Sequence, residues 1–316
     1  MLSKKAIQED VARHKEHDWF NPKNPLTEPV KELEFVTDGF CAKGMVTIIG
    51  AAPGAGKSML VQYVLSRHGN DFLPTKKGTK AIYMAGADSS ATELYRRARS
   101  IRVNDGLETL EPPEDRLIYF TDEHIFSKLG DRLKRGNYDA IVFDTAADYH
   151  HGNTYDADIV NASMAAVRRF AADANVAVII ITHTRKGSKI KNTYDVEDIS
   201  DSRIWTSKSD FVFAIKSEYQ DGGNLIELQN LKSRAPKALK PKRGIFQLVN
   251  GLFTIEPTEQ RFKGEMESLA KDEQRAEQVR QVHELSNQGK TIKQISDRLG
   301  IATGTVSKYR KEPLPG

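Results

Sequence analysis

The run Ala51-Ala52-Pro53-Gly54-Ala55-Gly56-Lys57-Ser58 constrains this chain more than any other stretch. It stands between a short β-branched run, Met45-Val46-Thr47-Ile48-Ile49-Gly50, and a helical pattern, KSMLVQYVLSR. Strand, glycine-rich turn and helix in that order make a P-loop, whose backbone amides face one point and whose helix adds its own free N–H groups. Gly54 and Gly56 let the backbone close on an anion, Lys57 reaches the terminal phosphates, and Ser58 offers its hydroxyl to magnesium. Gly50, the loop Ala51, Ala52, Pro53, Gly54, Ala55, Gly56, Lys57 and Ser58, and Met59 are therefore the expected contacts of a nucleoside triphosphate, with ATP and Mg2+ as the cofactors.

The runs around this loop set the fold class. AIYMAG (81–86), LIYF (117–120), DAIVFD (139–144) and VAVIIITH (176–183) read as strands; TELYRRARSI (92–101) and the stretch 156–174 read as helices. Short apolar strands alternating with helices predict a mostly parallel α/β sheet covered on both faces. Later the rhythm changes. DFVFAIK (210–216), NLIELQNLK (224–232), GIFQLV and GLFTIE (244–256) are short strands, and Asn250-Gly251 between two alternating runs marks a tight hairpin. They predict an antiparallel extension of the same sheet. The expected organisation is an N-terminal arm or linker over 1–35, an α/β P-loop core over 36–257, a helical or flexible linker over 258–273 and a small all-α unit over 274–312.

Asp144 closes the run Ile141-Val142-Phe143, where a carboxylate can hold magnesium or its water. Asp148 either orients water or caps the following turn. His183 ends the most apolar run in the chain, either as a sensor of the terminal phosphate that passes its state to the next loop, or as a hydrogen-bonded residue of the sheet end. His150 and His151 are adjacent in a polar stretch, make no tetrahedral metal site without further ligands, and are expected at the surface. With Cys41 as the one cysteine there is no internal disulfide, which fits a reducing compartment. No run reaches the roughly 18 apolar residues of a membrane span, and the start MLSKKAIQED has no signal-peptide core. A cytoplasmic location without a membrane partner is expected. Apolar residues at 39% and charged residues at 28% exclude the fibrous and disordered classes. A net charge of +4 is too small to imply nucleic acid by itself, so the placement of the cations matters.

Arg185, Lys186, Lys189 and Lys191 fall within seven residues, beside Gly187 and Ser188. Such a segment is too polar for a core; it reads as a loop that contacts phosphates without reading bases, or as a solvated surface loop. Trp205, at the return from this segment, either stacks on a base or packs into the sheet. Residues 274–310 resolve into three helical patterns with apolar faces at Val279, Val282 and Leu285, at Ile292, Ile295 and Leu299, and at Val306 and Tyr309; Thr291 can cap the second and Gly300 ends it.

With these elements together, the chain resembles RecA-fold ATPases, and among them hexameric replicative helicases of the DnaB and plasmid RepA type, over roughly residues 30–256. FVTDGFCAKGMVTIIGAAPGAGKSML is similar to that family's approach to the P-loop. Asp201-Ser202-Arg203 through Lys208-Ser209-Asp210 is similar to the segment after its central DNA-facing loop, and Lys232-Ser233-Arg234 stands where the family carries a lysine and an arginine that reach the neighbour's nucleotide. The resemblance implies a RecA-like core, a homo-oligomer of hexameric form, Arg234 as arginine finger with Lys232 as companion, and single-stranded DNA in a central channel. Residues 274–310 resemble the helix-turn-helix of resolvases and transposases, which implies duplex DNA contact through Thr303, Thr305, Ser307, Lys308 and Arg310; a tail that docks on another protein or subunit is the alternative. The implied activity is that of an ATP-dependent DNA helicase or DNA-stimulated ATPase in the replication of a plasmid or phage. An ATP-switched DNA-binding or loader protein is the other reading. One departure bears on both: Met84-Ala85-Gly86-Ala87-Asp88 places Ala87 where the family has the glutamate that polarises the attacking water, and alanine cannot accept a proton. Asp88 or Glu93 takes its place, or hydrolysis is slow, or the chain is a variant that traps bound ATP.

Overall fold

The computed structural model describes residues 32–86, 91–101, 107–110, 119–150, 156–184, 194–199, 203–220, 223–235 and 238–315. The chain divides into two units, Met1–Glu34 and Phe35–Gly316. Of the expected N-terminal arm, all but the last few residues lie outside the described residues.

In the second unit a small antiparallel ribbon, β1 (Phe35–Thr37) with β2 (Cys41–Ala42), precedes β3 (Val46–Ala51) and α1 (Lys57–Ser66). There follow β4 (Ala81–Ala85), α2 (Ala91–Ile101), β5 (Leu107–Leu110), α3 (Glu123–Gly136), β6 (Ala140–Asp144), α4 (Ala157–Ala174) and β7 (Ala177–His183). A short helix, α5 (Arg203–Lys208), leads into β8 (Phe211–Gln220), β9 (Gly223–Ser233), β10 (Lys242–Val249) and β11 (Leu252–Pro257). The helices α6 (Lys263–Asn287), α7 (Ile292–Leu299) and α8 (Thr303–Tyr309) come last.

Among the described residues, β3 to β11 form one sheet in the order β11-β10-β9-β8-β3-β7-β6-β4-β5. The six strands from β8 to β5 in that order are parallel, and β9, β10 and β11 add an antiparallel meander. This is the α/β, RecA-like architecture expected. A parallel sheet covered on both faces needs near-continuous apolar strands; Val46, Ile48 and Ile49 of β3 and Val178 to Ile181 of β7 are accordingly all buried. Phe126 of α3, Phe170 of α4, Phe143 of β6, Phe120 and Trp205 share one apolar cluster over this sheet. Burial pushes the Cys41 thiol up to about 12, so it is no nucleophile at neutral pH.

One expected strand is corrected. Tyr119 and Phe120 are not in a strand, and 117–118 lie outside the described residues. Phe120 instead meets Phe143 edge-on at 5.2 Å, so its apolar side chain serves core packing. The strand beside β4 is β5, which pairs on one side only. Its sequence LETL is short and half polar, as an edge strand tolerates. The Asn250-Gly251 hairpin is as expected: both residues have positive φ, 51° and 76°, as a two-residue turn of this hand requires, and Val249 faces Leu252.

The stretch after 257 is helical from Lys263, and α6 passes residue 273 without a break. Its N-terminal end is tied to the outer strands. Phe262 is fully buried with the Lys216 ammonium 3.9 Å from its ring centre, and Arg243 pairs with both Glu227 and Glu265. Farther along, Val282 and Leu285 of α6, Ile295 of α7 and Val306 of α8 make a small core of their own. Thr291 and Gln294 cap α7 reciprocally and Gly300 ends it at φ 66°.

Candidate nucleotide-binding site

Three neighbouring strands end at one edge of the sheet and each delivers an expected residue. Ala51 of β3 lies opposite His183 of β7, and Asp144 of β6 opposite Ile181 of β7. Parallel strands bring their C-terminal ends together, which is where open α/β sheets take ligands. Here they open on a cleft of about 1100 Å³. Pro53, Gly54, Gly56, Lys57, Ser58 and Met59 line it, with Asp144, Thr145 and His183. Gly54 and Gly56 have φ of 76° and 86°, a backbone that side chains disfavour, and Gly56 leads into α1. Gly50 is required for another reason: a Cβ there would lie 2.7 Å from the Ile199 side chain. Gly50 and Ala55 are buried, and Ala51 and Ala52 contribute carbonyls to the lysine.

Lys57 donates to the carbonyls of Ala51 and Ala52, each at 3.2 Å, and its ammonium lies 3.3 Å from His183 Nδ1. Burial lowers the lysine to about 8, partly opposed by the Asp144 carboxylate. A triphosphate supplies negative charge at the same ammonium and raises it again. At about pH 9 the free chain therefore holds Lys57 mostly neutral, and nucleotide binding draws a proton onto it. Affinity is expected to fall as pH rises through about 8, with proton uptake on binding when titration heats are compared across buffers of different ionisation enthalpy. Equal uptake in a Lys57→Met chain would assign the proton elsewhere.

Ser58 Oγ donates to Asp144 Oδ2 at 2.5 Å, and the Tyr83 hydroxyl donates to the same oxygen. Hard oxygen donors beside a phosphate-binding loop suit Mg2+, which takes one or two carboxylates and leaves its other positions to phosphate and water. Ser58 and Asp144 would hold the ion, directly or through its water. Bound there, Mg2+ would neutralise charge on the phosphate oxygens. Tyr83 escaped sequence reasoning, since AIYMAG reads simply as a buried strand. Only the pairing of β4 with β6, Tyr83 opposite Val142, brings its hydroxyl to Asp144. Burial first, then the Asp144 charge, pushes its pKa well up, so it remains a proton donor to that carboxylate.

Asp148 caps its turn: Oδ2 accepts from Thr145 N and Thr145 Oγ1, both at 2.9 Å. The same carboxylate presses on Gly86, where a Cβ would lie 2.2 Å from Oδ2. Ala87 and Asp88 lie outside the described residues. Glu93 lines the cleft, but its carboxylate is taken by Arg96 at 2.5 Å and Arg97 at 3.0 Å.

Residues 15–189 match the AAA domain family. The chain belongs to that family. The curated relatives of this AAA domain include proteins called DNA repair protein RadA. That of Mycobacterium tuberculosis (strain ATCC 25618 / H37Rv) is 27% identical over 184 residues, 56% of this chain and 35% of the relative. That of Helicobacter pylori (strain J99) is 27% identical over 183 residues, 55% of this chain and 36% of the relative. That of Brucella abortus (strain 2308) is 25% identical over 183 residues, 57% and 37% respectively. The chain thus spans little more than a third of the length of these relatives. Family, relatives and site agree on a RecA-like P-loop ATPase core.

The other expected residues of this AAA-domain protein are placed as follows. Lys232 pairs with Val212, and Phe211 with Thr47, so Lys232 and Arg234 stand beside the start of β3, at the opposite edge of the sheet from the P-loop. Within one chain, β3 runs between them and the P-loop. Arg185, Lys186, Lys189 and Lys191 lie outside the described residues. On and after α8, Thr303, Lys308 and Arg310 are exposed and Thr305 and Ser307 half-buried, around the buried Val306. Trp205 is packed, edge-on to Phe120 at 5.8 Å and to His150 at 5.6 Å. His150 is therefore not a surface residue. It is 5% exposed with Nδ1 3.1 Å from Ser163 Oγ, because the turn after β6 carries it against α4 and α5. His151 is outside the described residues. Among the described residues no group of three or more His, Cys, Asp or Glu could hold a metal, and no helix is long and apolar enough to cross a membrane.

Proposed function

We propose that this chain is a DNA-acting ATPase that works as an assembly of identical subunits, with ATP bound between neighbours. The observation that carries this reading is the 3.3 Å approach of Lys57 to His183. His183 is the last residue of β7, and the cationic segment from Arg185 to Lys191 begins two residues later. A phosphate arriving at Lys57 changes what His183 faces, and the backbone carries that change into four cations suited to a DNA backbone. Arg234 supports the assembly: at the far edge of the sheet it can serve only a nucleotide in another copy, and a guanidinium suits the charge of phosphoryl transfer. The relatives called DNA repair proteins point to the same substrate. The α6 to α8 unit adds a second contact, a helix-turn-helix that meets duplex DNA through Thr303, Thr305, Ser307, Lys308 and Arg310. In its narrowest form the reading is a cytoplasmic hexameric helicase for replication of a plasmid or phage.

The test is ATP turnover with and without single-stranded DNA. DNA is expected to raise turnover several-fold, and an Arg185→Ala, Lys186→Ala chain to lose most of that response while DNA binding falls steeply with salt. Turnover indifferent to DNA ends the reading. Ala87 and the engaged Glu93 favour a second one, an ATP-switched DNA-binding or loader protein. On that reading ATP raises DNA affinity without displacing a strand from a forked duplex.

A further inference from the structure

The last carbonyls of a helix have no partner within it. In α5 they are taken by side chains from two other elements. Lys232 on β9 donates to Thr206 O at 2.9 Å, Ser207 O at 2.7 Å and, just past the helix, Ser209 O at 2.8 Å. Arg168 on α4 donates to Lys208 O at 2.8 Å. Four successive carbonyls are thus satisfied by two cations, which also suit the negative end of the helix dipole. An ammonium has three protons, and these bonds use all of them.

Asp210 connects this cap to Arg234. Its buried carboxylate pairs with Arg234 at 2.9 Å and Arg168 at 3.8 Å, and accepts from Val46 N at 2.9 Å. On its other side α5 is rooted in the core by Trp205, which is 2% exposed. Two residues apart on the same strand end, the two cations differ: Lys232 is committed to backbone carbonyls, whereas the Arg234 side chain is 47% exposed. Burial, then the nearby Arg234 charge, holds the lysine below its usual range, partly opposed by the Asp210 carboxylate.

We propose that Lys232 is a positioning residue: with Arg168 it caps α5, and through Asp210 the cap sets Arg234, which faces the anion. The cap stands on its own geometry; only the purpose of Arg234 rests on the function proposed above. The test uses the full chain with Trp19→Phe, which leaves Trp205 as the sole tryptophan, and reads acrylamide quenching without nucleotide beside kcat and KM for ATP. Lys232→Met is expected to raise quenching of Trp205 about two-fold with a red-shifted emission, because the last turn of α5 loosens. Arg168→Met should do the same to a smaller extent, Lys232→Arg should restore protection by donating to the same carbonyls, and Arg234→Met should leave Trp205 as it was. Trp205 equally protected in Lys232→Met, with kcat lowered as in Arg234→Met, overturns the proposal and makes the lysine a phosphate ligand. Should Lys232→Met not fold, Arg168→Met decides: unchanged quenching there sinks the cap. A parent chain without turnover would count against the ATPase reading and leave the quenching result standing.

Discussion

ATP turnover by an Ala87→Glu chain is expected to exceed that of the chain as it stands by about 100-fold, the usual worth of a positioned general base. The phosphate end of the site is complete, with Lys57 on the loop and Ser58 against Asp144. Among the described residues, the candidate carboxylates for taking the proton of the attacking water are already engaged. Asp148, directly beside Gly86, is held by two bonds to Thr145, and the Glu93 carboxylate is gripped by two guanidiniums. Position 87 follows β4 in the sequence, and β4 is the strand next to the one that carries Asp144. The gain should fall on kcat with KM nearly unchanged, since the new carboxylate acts in the transition state. An unchanged kcat would mean that Asp88 already serves, and an Asp88→Asn chain should then be silent.

Arg234→Ala, measured in the Ala87→Glu background so that a loss can be resolved, is expected to lower turnover by about 1000-fold, with ATP affinity little altered. The reason is topological: Arg234 lies past the end of β9, beside the start of β3, whereas Lys57 follows the end of β3. A Lys57→Ala chain should be equally inactive for the opposite reason. Mixing the two should restore turnover above the sum of the parts, because an intact P-loop from one copy can then meet an intact Arg234 from the other. Two inactive chains that stay inactive when mixed would confine Arg234 to its structural pairing with Asp210.

What could be read from the sequence was chemistry that is local along the chain. The P-loop is consecutive residues whose glycines, lysine and serine carry their own geometry, and Asp144 and His183 are legible because each ends an apolar run. The Asn250-Gly251 turn and the caps at Thr291 and Gly300 are equally short-range, decided by the φ that each position demands. Only the tertiary structure decided which runs become neighbours. The order β3-β7-β6-β4 is what sets Tyr83 against Asp144, and the packing of α4 and α5 is what buries His150. LIYF looked like a strand because apolarity was its whole signal, and the core rather than a β-ladder claimed Phe120, while β5 took the edge where one partner is enough. Lys232 is a companion of Arg234 only by resemblance to a family; the carbonyls of α5 that it holds are some 25 residues away along the chain and adjacent only once β8 and β9 have paired. Motifs survive in one dimension because their partners are covalent neighbours, whereas caps, ion pairs and buried hydroxyls take partners that only folding selects.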